Sequence, residues 1–503
     1  MAPSPLRSNL HGLPFVLLFA AAFAQQHACI PLNVSVAAPI FTTAPFFASW
    51  NLDSSRQRLF FDLNFSDPRL LYLASQIGGG RIRFGGTGNN YLFYGVGADA
   101  GACPPTVPFR AECLNATLLD ALLAVSAAAR APLLFGLNMQ PVGGGPPGAP
   151  FNASNARALM GYLHAKAPGA VAAFELGNEL EGKVSAAEAA AAFLALDAVA
   201  AEVWAGGAAR PALVGPDANG SPAARAAYLA SFSAAAGGRI GALTYHEYIG
   251  ASADNVLNGT FLDRTADNAA TSLAIIRAAN ATINVFAGEI GPHTGDGANS
   301  SFAHCSNNRL CGRFGSTLWY ADAMGASARA GVAAFFRQDL VGADYALVNT
   351  SAPGGGGASM TGGFTPSPDY YFLAVWQRLV GARVLDAGVA NARQGVRVYA
   401  FCARAPSGGV AVLAINLEGE GRCVRWAAFE GAAVEAFAFT AGDGAGVESY
   451  GARLNGRLLA LDGSGRLPSL SGAPAEVVNA SLALPPQSAS LFYVPGAAPV
   501  ACA

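Results

Sequence analysis

The chain has 503 residues, of which 52% are hydrophobic and 12% charged, and its formal net charge is −2. This composition can build a large core and excludes a mainly disordered protein, while the length suits a large domain with one accessory module. Lys166 and Lys183 are the only lysines, and no long basic stripe occurs. Nucleic acid is therefore not expected as a partner.

Residues 1–24 have the features of a secretory signal peptide. Arg7 and His11 precede an apolar run from Leu13 to Phe23, which closes in a small-x-small pattern at Ala24. That run is too short to span a bilayer, and no later apolar stretch of about 18 or more residues occurs. We therefore expect a protein without a transmembrane segment, either secreted to the cell exterior or cell wall or delivered to a lysosome or vacuole.

Asn-x-Ser/Thr sequons occur throughout the chain and fit the same secretory route, because such sites are glycosylated on protein surfaces. The candidate N-glycosylation sites are Asn33, Asn64, Asn115, Asn152, Asn258, Asn280, Asn299, Asn349 and Asn479.

The 8 cysteines form no Cys-x-x-Cys pair or metal-ligand spacing, and neither a metal nor another cofactor is expected. In an oxidising compartment, disulfides are the better interpretation of an even number. Two pairs are close enough in sequence to staple their own loops, a third would tie down the C-terminus, and the fourth follows by elimination. In that order, the predicted pairs are Cys103–Cys113, Cys305–Cys311, Cys402–Cys502 and Cys29–Cys423.

Between about residues 45 and 381, short apolar runs alternate with alanine-rich helical stretches, a pattern typical of βα units. Eight such runs predict a (β/α)8 TIM barrel, because an open doubly wound sheet would more often show a glycine-rich phosphate turn. The predicted strands are Phe46–Leu52, Arg81–Phe84, Leu133–Leu137, Val171–Leu176, Ala212–Val214, Ala242–Tyr245, Ile283–Ala287 and Ala333–Arg337. The predicted helices are Pro68–Ser75, Thr117–Arg130, Asn155–Lys166, Ser185–Trp204, Ala223–Ala235, Ala266–Ala279, Ser316–Ala330 and Tyr370–Val380.

Residues 382–503 have a different pattern, in which apolar residues alternate with polar ones and glycine, proline and serine separate the runs. The clearest runs are Val396–Phe401, Val410–Ile415 and Ser490–Val494. They predict an antiparallel β-sandwich module. The segment 25–44 precedes the barrel, and its run Leu32–Val36 is expected to add a strand to this second module.

Two of the predicted barrel strands end in a glutamate. The run from Val171 leads into Leu-Gly-Asn-Glu179, and the run from Ile283 leads into Ala-Gly-Glu289. Residues at the C-terminal tips of barrel strands point into the active site. Two carboxyl groups on different strands are what glycoside hydrolysis requires.

The other strand tips are also polar although the strands themselves are apolar, and such groups hold sugar hydroxyls. The tips present Asp53, Gly85-Gly86-Thr87, Asn138, Asn178, Asp217, His246-Glu247-Tyr248 and Arg337-Gln338. We favour a role in the site for His246 over a role in the core.

With these segments in this order and spacing, the chain resembles the heparanase-like β-glucuronidases of glycoside hydrolase family 79 over nearly its whole mature length. It more closely resembles the single-chain plant and microbial members than the animal heparanases. The resemblance rests on Arg83-Phe-Gly-Gly-Thr87, Phe135-Gly-Leu-Asn138, Phe151-Asn-Ala-Ser-Asn155, Glu175-Leu-Gly-Asn-Glu179, Gly215-Pro-Asp217, Thr244-Tyr-His246, Gly288-Glu289 and Arg337-Gln338, with Pro368-Asp-Tyr-Tyr371, Leu379-Val-Gly381 and Val396-Arg-Val-Tyr399 extending it into the second module.

The resemblance implies a retaining mechanism with Glu179 as acid/base and Glu289 as nucleophile. It also implies that Asn178 binds the sugar 2-hydroxyl and that Tyr248 donates a hydrogen bond to the nucleophile. The remaining implied contacts are those of Asp53, Thr87 and Gln338 with other hydroxyls, and those of Tyr345 and backbone amides near Gly295 and Gly297 with the glucuronate carboxylate. The sequence departs from the family in the loop that contains the two glycines.

The departures from animal heparanases bear on the substrate. Their cleft is flanked by basic clusters, whereas the corresponding segments here, Leu118–Arg130 and Ser221–Ala236, are alanine-rich and nearly without base. A glucuronide less charged than a sulfated chain is therefore favoured. The alternatives are a heparan sulfate endo-β-glucuronidase, another barrel glycosidase such as an arabinofuranosidase or xylosidase, and a non-catalytic heparanase-like glycan-binding protein.

Overall fold

The computed structural model describes most of the chain and is the basis of everything that follows. The described residues are 29–55, 60–103, 112–139, 151, 153–206, 209–293, 308–342, 345–350, 363–404, 408–498 and 500–503. The proposed signal peptide, Asn152, Gly295, Gly297, Asn299 and Cys305 lie outside these ranges.

Eight parallel strands close into a barrel in which each strand pairs with the next along the chain and the last pairs with the first. All eight predicted strands are present, and the predicted TIM barrel is confirmed. The strands are β1 (Ala48–Asp53), β2 (Ile82–Gly85), β3 (Leu133–Leu137), β4 (Val171–Leu176), β5 (Ala212–Ala218), β6 (Ala242–Tyr248), β7 (Asn284–Gly291) and β8 (Ala334–Arg337).

One helix follows each barrel strand, as predicted. The helices are α1 (Pro68–Gln76), α2 (Ala116–Ala129), α3 (Ala153–Lys166), α4 (Ala186–Val203), α5 (Pro222–Ala236), α6 (Gly259–Ala279), α7 (Phe314–Ala330) and α8 (Pro368–Leu379). Local sequence sets several of their starts. Asp67 caps α1 just before Pro68, and Ser185 and Glu188 form a reciprocal capping box at α4, so backbone N–H groups that a helix leaves unpaired are satisfied. No helix in the described part of the chain combines the length and apolarity of a membrane span.

The barrel interior is apolar at one end and polar at the other. Near the N-terminal ends of the strands, Leu134, Val214 and Phe286 pack together, and Phe46 meets Phe286 edge-on with 5.8 Å between ring centroids. Toward the C-terminal ends, buried carboxylate, amide, guanidinium and imidazole groups replace these side chains. The polar groups therefore collect at the end where barrel enzymes carry their active sites.

The C-terminal module has two sheets. Its strands are β9 (Val380–Leu385), β10 (Val396–Ala403), β11 (Val410–Asn416), β12 (Arg422–Arg425), β13 (Glu435–Ala441), β14 (Ala452–Leu454), β15 (Arg457–Leu458), β16 (Ala473–Pro474), β17 (Ser481–Leu484) and β18 (Ser488–Val494). β12 and β17 form the smaller sheet with a short N-terminal strand, and the other strands form the larger, antiparallel one. Val398, Val412 and Phe492 from the larger sheet share a core with Val424 and Leu482 from the smaller one, which confirms the predicted sandwich.

The N-terminal segment contributes to this module, but not through the predicted run. Ile30–Pro31 pairs with β12 and Phe41–Thr42 pairs with β9, whereas Leu32–Val36 forms no strand. Leu32 and Val34 nevertheless insert into the sandwich core. The strand position was predicted wrongly because alternate burial has the same sequence pattern whether or not the extended chain pairs regularly with a neighbour.

Helix α7 joins the barrel to the sandwich and is buried from Phe314 to Ala328. The larger sheet packs against it: the Tyr399 hydroxyl of β10 donates to Asp322 of α7 at 2.7 Å, and Arg397 forms a buried ion pair with the same carboxylate. A helix covered on both sides needs apolar or small residues all round, which explains why α7 has no polar face.

Three of the predicted disulfides are confirmed: Cys29–Cys423, Cys103–Cys113 and Cys402–Cys502. The Cys305–Cys311 prediction falls partly on an undescribed residue. Among the predicted glycosylation sites, Asn33, Asn64, Asn115, Asn258 and Asn479 are exposed, and Asn280 and Asn349 are half-buried. The glycosylation of these sites stays a prediction.

Candidate active site

Glu179 and Glu289 face each other at the polar end of the barrel. Glu179 follows β4 and Glu289 lies in β7. A carboxylate oxygen of each lies within 4.8 Å of the other. Glu179 has a positive φ of 53°, and its backbone N–H donates to the carbonyl oxygen of Asp217 at 3.0 Å, which holds this left-handed residue against the tip of β5.

Three side chains surround the Glu289 carboxylate. Tyr248 donates its hydroxyl proton to Oε1 at 2.5 Å, Arg83 Nη1 donates to Oε2 at 3.1 Å, and His246 Nδ1 lies 3.9 Å from Oε2. Burial opposes ionisation of this group, but the positive charges of His246 and Arg83 outweigh it and lower the pKa of Glu289. Burial and the Glu289 charge raise the pKa of Tyr248, so its hydroxyl keeps the proton that it donates.

Arg83 of β2 is fully buried and contacts four groups at the tips of three other strands. Besides Glu289, its guanidinium binds Glu175 at 2.9 Å, Asp217 at 2.5 Å and the amide oxygen of Asn178 at 2.8 Å. A buried cation needs such partners. Electrostatic interactions with the carboxyl groups of Asp217, Glu175 and Glu289 overcome the cost of burial and raise the pKa of Arg83, so the group stays positive.

His246 lies between the candidate catalytic carboxyl groups of Glu179 and Glu289 and the buried carboxyl group of Asp217. Its Nδ1 is 2.8 Å from Glu179 Oε1, and its Nε2 is 3.2 Å from Asp217 Oδ1. The ring is 0% exposed, and burial alone would favour the neutral form. The charges of Glu289 and Asp217 prevail and raise the pKa of His246 to about 10. The imidazole is therefore positive at neutral pH, with Nδ1 hydrogen-bonded to Glu179 and Nε2 ion-paired with Asp217.

The oxygen and nitrogen atoms of Glu179, His246 and Glu289 are close enough together to hold a cation. His246, however, faces a carboxylate with each nitrogen. A histidine binds a metal through a nitrogen lone pair, which an N–H donor does not offer. Hydrogen bonding within the trio accounts for its geometry, and we assign no metal to it.

Asn178 is fixed from both sides. Arg83 binds its side-chain oxygen, while Asn90 donates to its carbonyl oxygen at 2.7 Å and accepts from its N–H at 3.0 Å. With the side-chain oxygen bound to Arg83, the amide NH2 is the donor that Asn178 can offer to a sugar hydroxyl. This orientation is compatible with its predicted role.

A second cluster of polar side chains lies on the side of the site formed by β1 and β8. Gln338 Nε2 donates to Asp53 Oδ2 at 2.7 Å, and Asn51 Nδ2 donates to Gln338 Oε1 at 2.8 Å. Gly86 has a φ of 96°, and a Cβ on it would overlap the Asp53 carboxylate, so glycine is required beside that group. The predicted Thr87 is exposed next to this close contact.

Tyr345 is 4% exposed and belongs to a small cluster with Cys311 and Ala346 against Tyr248. Arg337 donates to the Tyr345 carbonyl oxygen at 2.8 Å and forms a buried ion pair with Asp369 of α8. A buried charge pair thus holds the backbone of Tyr345, and the cluster that contains Tyr345 packs against Tyr248, whose hydroxyl binds the nucleophile candidate.

Three of the polar tip residues have structural partners instead of pointing toward the catalytic pair. Glu247 pairs with the buried Arg225 of α5, Asn138 Nδ2 donates to the Leu92 carbonyl oxygen at 3.0 Å, and Arg337 binds Asp369. Sequence alone placed all three at the tips. It could not show in which direction each side chain points.

Sequence reasoning assigned no role to Arg83, Glu175 or Asn90. Arg83 and Glu175 carried a usable signal, because a charged residue within an apolar strand must find a buried partner. Asn90 lies in a short 3₁₀ helix after β2, where an amide in a glycine-rich loop is too common to single out.

A family model, Glycosyl hydrolase family 79, N-terminal domain, matches residues 49–325. A baicalin-beta-D-glucuronidase from Scutellaria baicalensis is 32% identical over 36% of this chain, and the match spans only 32% of that protein. Heparanase from Gallus gallus is 27% identical over 94% of this chain and 96% of its own. Among solved structures, a 4-O-alpha-L-rhamnosyl-beta-D-glucuronidase from Fusarium oxysporum has a TM-score of 0.62 at 14% identity, covering 92% of this chain and 100% of its own.

Proposed function

The chain belongs to glycoside hydrolase family 79, and on this premise we propose that it hydrolyses β-linked glucuronides with retention of anomeric configuration. The observation that carries the proposal is the approach of Glu179 and Glu289 to within 4.8 Å. Carboxyls about 5–5.5 Å apart allow one of them to attack the sugar, whereas inverting enzymes keep them farther apart to admit a water molecule.

In the first step, the Glu289 carboxylate attacks the anomeric carbon while the proton of Glu179 passes to the departing glycosidic oxygen. The C–O bond to the aglycone breaks and an ester to Glu289 forms. In the second step, Glu179 takes a proton from water, whose oxygen attacks the same carbon and releases Glu289. The Arg83 and Tyr248 contacts fit this assignment, because both stabilise Glu289 in its ionised, attacking form.

Two lines of support favour glucuronic acid as the sugar. Proteins similar to this chain include a baicalin glucuronidase and a heparanase, and Tyr345 belongs to a cluster that packs against Tyr248. The glucuronate carboxylate would be met by the Tyr345 hydroxyl and by amides of the loop containing Gly295 and Gly297. Asp53, Gln338 and Asn178 would bind ring hydroxyls.

The charges around the barrel favour an aglycone without sulfate. Helix α2 contains no arginine or lysine, and the one arginine of α5, Arg225, is buried against Glu247 and cannot serve a ligand. Arg130, which follows α2, is exposed. A sulfated chain gripped by many ionic contacts would need a cluster of such residues.

A panel of chromogenic β-glucuronide, α-arabinofuranoside and β-xyloside substrates tests the sugar, with proton NMR of the first-formed anomer testing retention. Assays with heparan sulfate and a small β-glucuronide across a salt series test the aglycone. We expect glucuronide cleavage that varies little with salt and slow or no cleavage of heparan sulfate. Inversion, pentoside cleavage alone, or efficient, salt-sensitive cleavage of heparan sulfate would contradict the corresponding part of the proposal.

We also propose that the protein enters the secretory pathway. The signal-like residues 1–24, the disulfides and the exposed sequons support this. Expression of the full chain in a eukaryotic host, with and without residues 1–24, is the test. Release of a protein whose mass falls on treatment with a peptide N-glycosidase is expected only from the full chain.

A further inference from the structure

Glu175 and Asp217 form a buried carboxyl pair beneath the two candidate catalytic glutamates. Both are 0% exposed, and both bind the same arginine, Arg83, through adjacent nitrogens. Two ionised carboxylates buried on one guanidinium would leave a negative charge uncompensated, and a proton on one of them removes that charge.

The surroundings decide which group holds the proton. Burial and the Asp217 charge together outweigh Arg83 and raise the pKa of Glu175. Burial opposes ionisation of Asp217 as well, but the charges of Arg83 and His246 prevail and lower its pKa. Asp217 faces two cations whereas Glu175 contacts one, and this difference in geometry separates the roles of the two groups.

We propose that Glu175 is protonated, and that ionised Asp217 is a positioning residue that keeps His246 doubly protonated and aimed at Glu179. This inference rests on the proposed function, because it gives Glu179 the acid/base role. Asp217 acts through His246 and does not touch the substrate.

The consequence for the reaction follows from the contacts of His246. Its Nδ1–H occupies one oxygen of Glu179, so the other oxygen is the one that passes its proton to the leaving group. Once that proton has gone, the positive imidazole stabilises the Glu179 carboxylate until it takes a proton from water. When Glu289 is esterified its charge disappears, and Asp217 remains as the anion that holds His246 positive.

Every charged group around His246 and the pair enters this balance. His246 faces Glu179, Asp217 and Glu289, and the pair faces Arg83. With Glu175 and Glu179 protonated, the anions Asp217 and Glu289 balance the cations Arg83 and His246. A buried site without net charge avoids the large cost of uncompensated burial.

Amide substitution of the two carboxyls gives opposite expectations. Glu175→Gln keeps a neutral group that can donate a hydrogen bond, so kcat should stay within about threefold of wild type with an unchanged pH profile. Asp217→Asn removes the required charge and should lower kcat by about 10-fold to 100-fold with KM little changed, since general acid–base catalysis is worth ~10²–10⁴. Each amide is nearly isosteric with the carboxyl group that it replaces, and both positions are 0% exposed. Each variant therefore controls for the other.

The imidazole itself supplies a readout that needs no substrate. In enzyme labelled with ¹⁵N-histidine, the His246 signal, identified by its loss in His246→Gln, should show both nitrogens protonated at pH 7 in wild type and Glu175→Gln. In Asp217→Asn, its titration midpoint should fall by at least about one pH unit. The ¹⁵N titration of the wild-type protein reports the charge of His246 without the Glu175 and Asp217 variants. The proposed charge of His246 can therefore be tested even if one of those variants does not fold.

Titration of wild-type His246 near its ordinary value would overturn the proposal, as would equal losses of kcat in the two amide variants. An unchanged midpoint in Asp217→Asn would also overturn it. These outcomes are separate from a failure of the proposed function, which would show as absent glucuronidase activity in wild type while the ¹⁵N titration remained as expected.

Discussion

At the scale of single residues, the site depends on a few buried charges that fix one another. Arg83 holds Glu175, Asp217 and Glu289, and Tyr248 adds a neutral hydrogen bond to the last of these. Removing one partner from such a network leaves an uncompensated charge, which costs more than the pair contributes. The same contacts that stabilise the barrel tips therefore also set the ionisation of the proposed nucleophile.

Replacing the proposed nucleophile tests its role directly. Glu289→Gln keeps the shape and the Tyr248 and Arg83 neighbours but cannot form the ester, so kcat for a β-glucuronide should fall by about 10⁴-fold or more. Circular dichroism and the unfolding temperature should show a folded protein. Glu202→Gln, which changes an exposed glutamate of α4, is the matched control and should retain full activity. Near-normal turnover by folded Glu289→Gln would rule out the assignment.

The lowered pKa of Glu289 predicts activity in mildly acidic solution. Because the ionised form persists below the ordinary glutamate value of about 4.3, the acid limb of kcat/KM should lie below that pH. Replacing the positive His246 by glutamine removes one of the charges that lower the pKa, so the acid limb of His246→Gln should move to higher pH. Initial rates between pH 3 and 7 check this, and a wild-type acid limb above about pH 5 would contradict it.

At the scale of elements, the close contact between α7 and β10 fixes the barrel relative to the sandwich. Gly325 lies where α7 meets the Tyr399 ring, and a Cβ at that position would overlap the ring. Tyr399 in turn binds Asp322, so it cannot move without breaking a buried hydrogen bond. The absence of a side chain at this one helical position allows the two modules to pack directly.

Two glycine-to-alanine changes within helices should therefore have opposite signs. Alanine ordinarily stabilises a helix interior by about 0.5–1 kcal/mol over glycine, and Gly161→Ala in α3, where nothing lies within 4 Å of the new Cβ, should do so. Gly325→Ala should instead destabilise by about 1–3 kcal/mol because of overpacking. Denaturant unfolding of both variants gives the comparison, and stabilisation by Gly325→Ala would show that the contact relaxes freely.

At the scale of the whole molecule, the first and last described segments of the chain meet on the sandwich. The Cys29–Cys423 disulfide fastens the N-terminal segment beside β12, and Cys402–Cys502 fastens the C-terminus to β10. The barrel thus begins and ends at a module to which the segment starting at Cys29 and the segment ending at Cys502 are both fastened. The hydrogen bonds and ion pairs described above for the strand-tip side chains involve neither disulfide.

Removal of the long-range disulfide should consequently reduce stability without affecting catalysis. Cys29→Ala with Cys423→Ala frees a loop closed over a sequence separation of 394 and should cost about 2–5 kcal/mol. Cys103→Ala with Cys113→Ala, at a separation of 10, is the control and should cost less by the same entropic argument. Unfolding temperature and kcat/KM report the two effects. A large loss of kcat/KM in the folded Cys29/Cys423 variant would contradict the expectation that this disulfide contributes to stability but not to catalysis.

The sequence by itself determined the barrel, the sandwich and the two glutamates at strand tips, because each depends on local patterns. An apolar run long enough for a buried strand, followed by a polar residue, identifies a tip without knowledge of its neighbours. Of the disulfides in the described part of the chain, Cys103–Cys113 followed from spacing, Cys402–Cys502 from its place near the C-terminus and Cys29–Cys423 by elimination. The prediction of a strand at Leu32–Val36 was wrong because a buried extended segment and a paired strand have the same alternation of apolar and polar residues.

Only the tertiary structure decided which polar tips converge. Alternation of side chains breaks down where the strands end: Glu179 and Asp217 adopt left-handed backbone conformations, and the pairing of β6 with β7 shifts register between Tyr245 and His246. Glu247 consequently pairs with Arg225, while His246 meets Glu179 and Asp217. The partners of Arg83 are 92 to 206 residues away in sequence, so closure of the barrel, and no local pattern, brings these charges together.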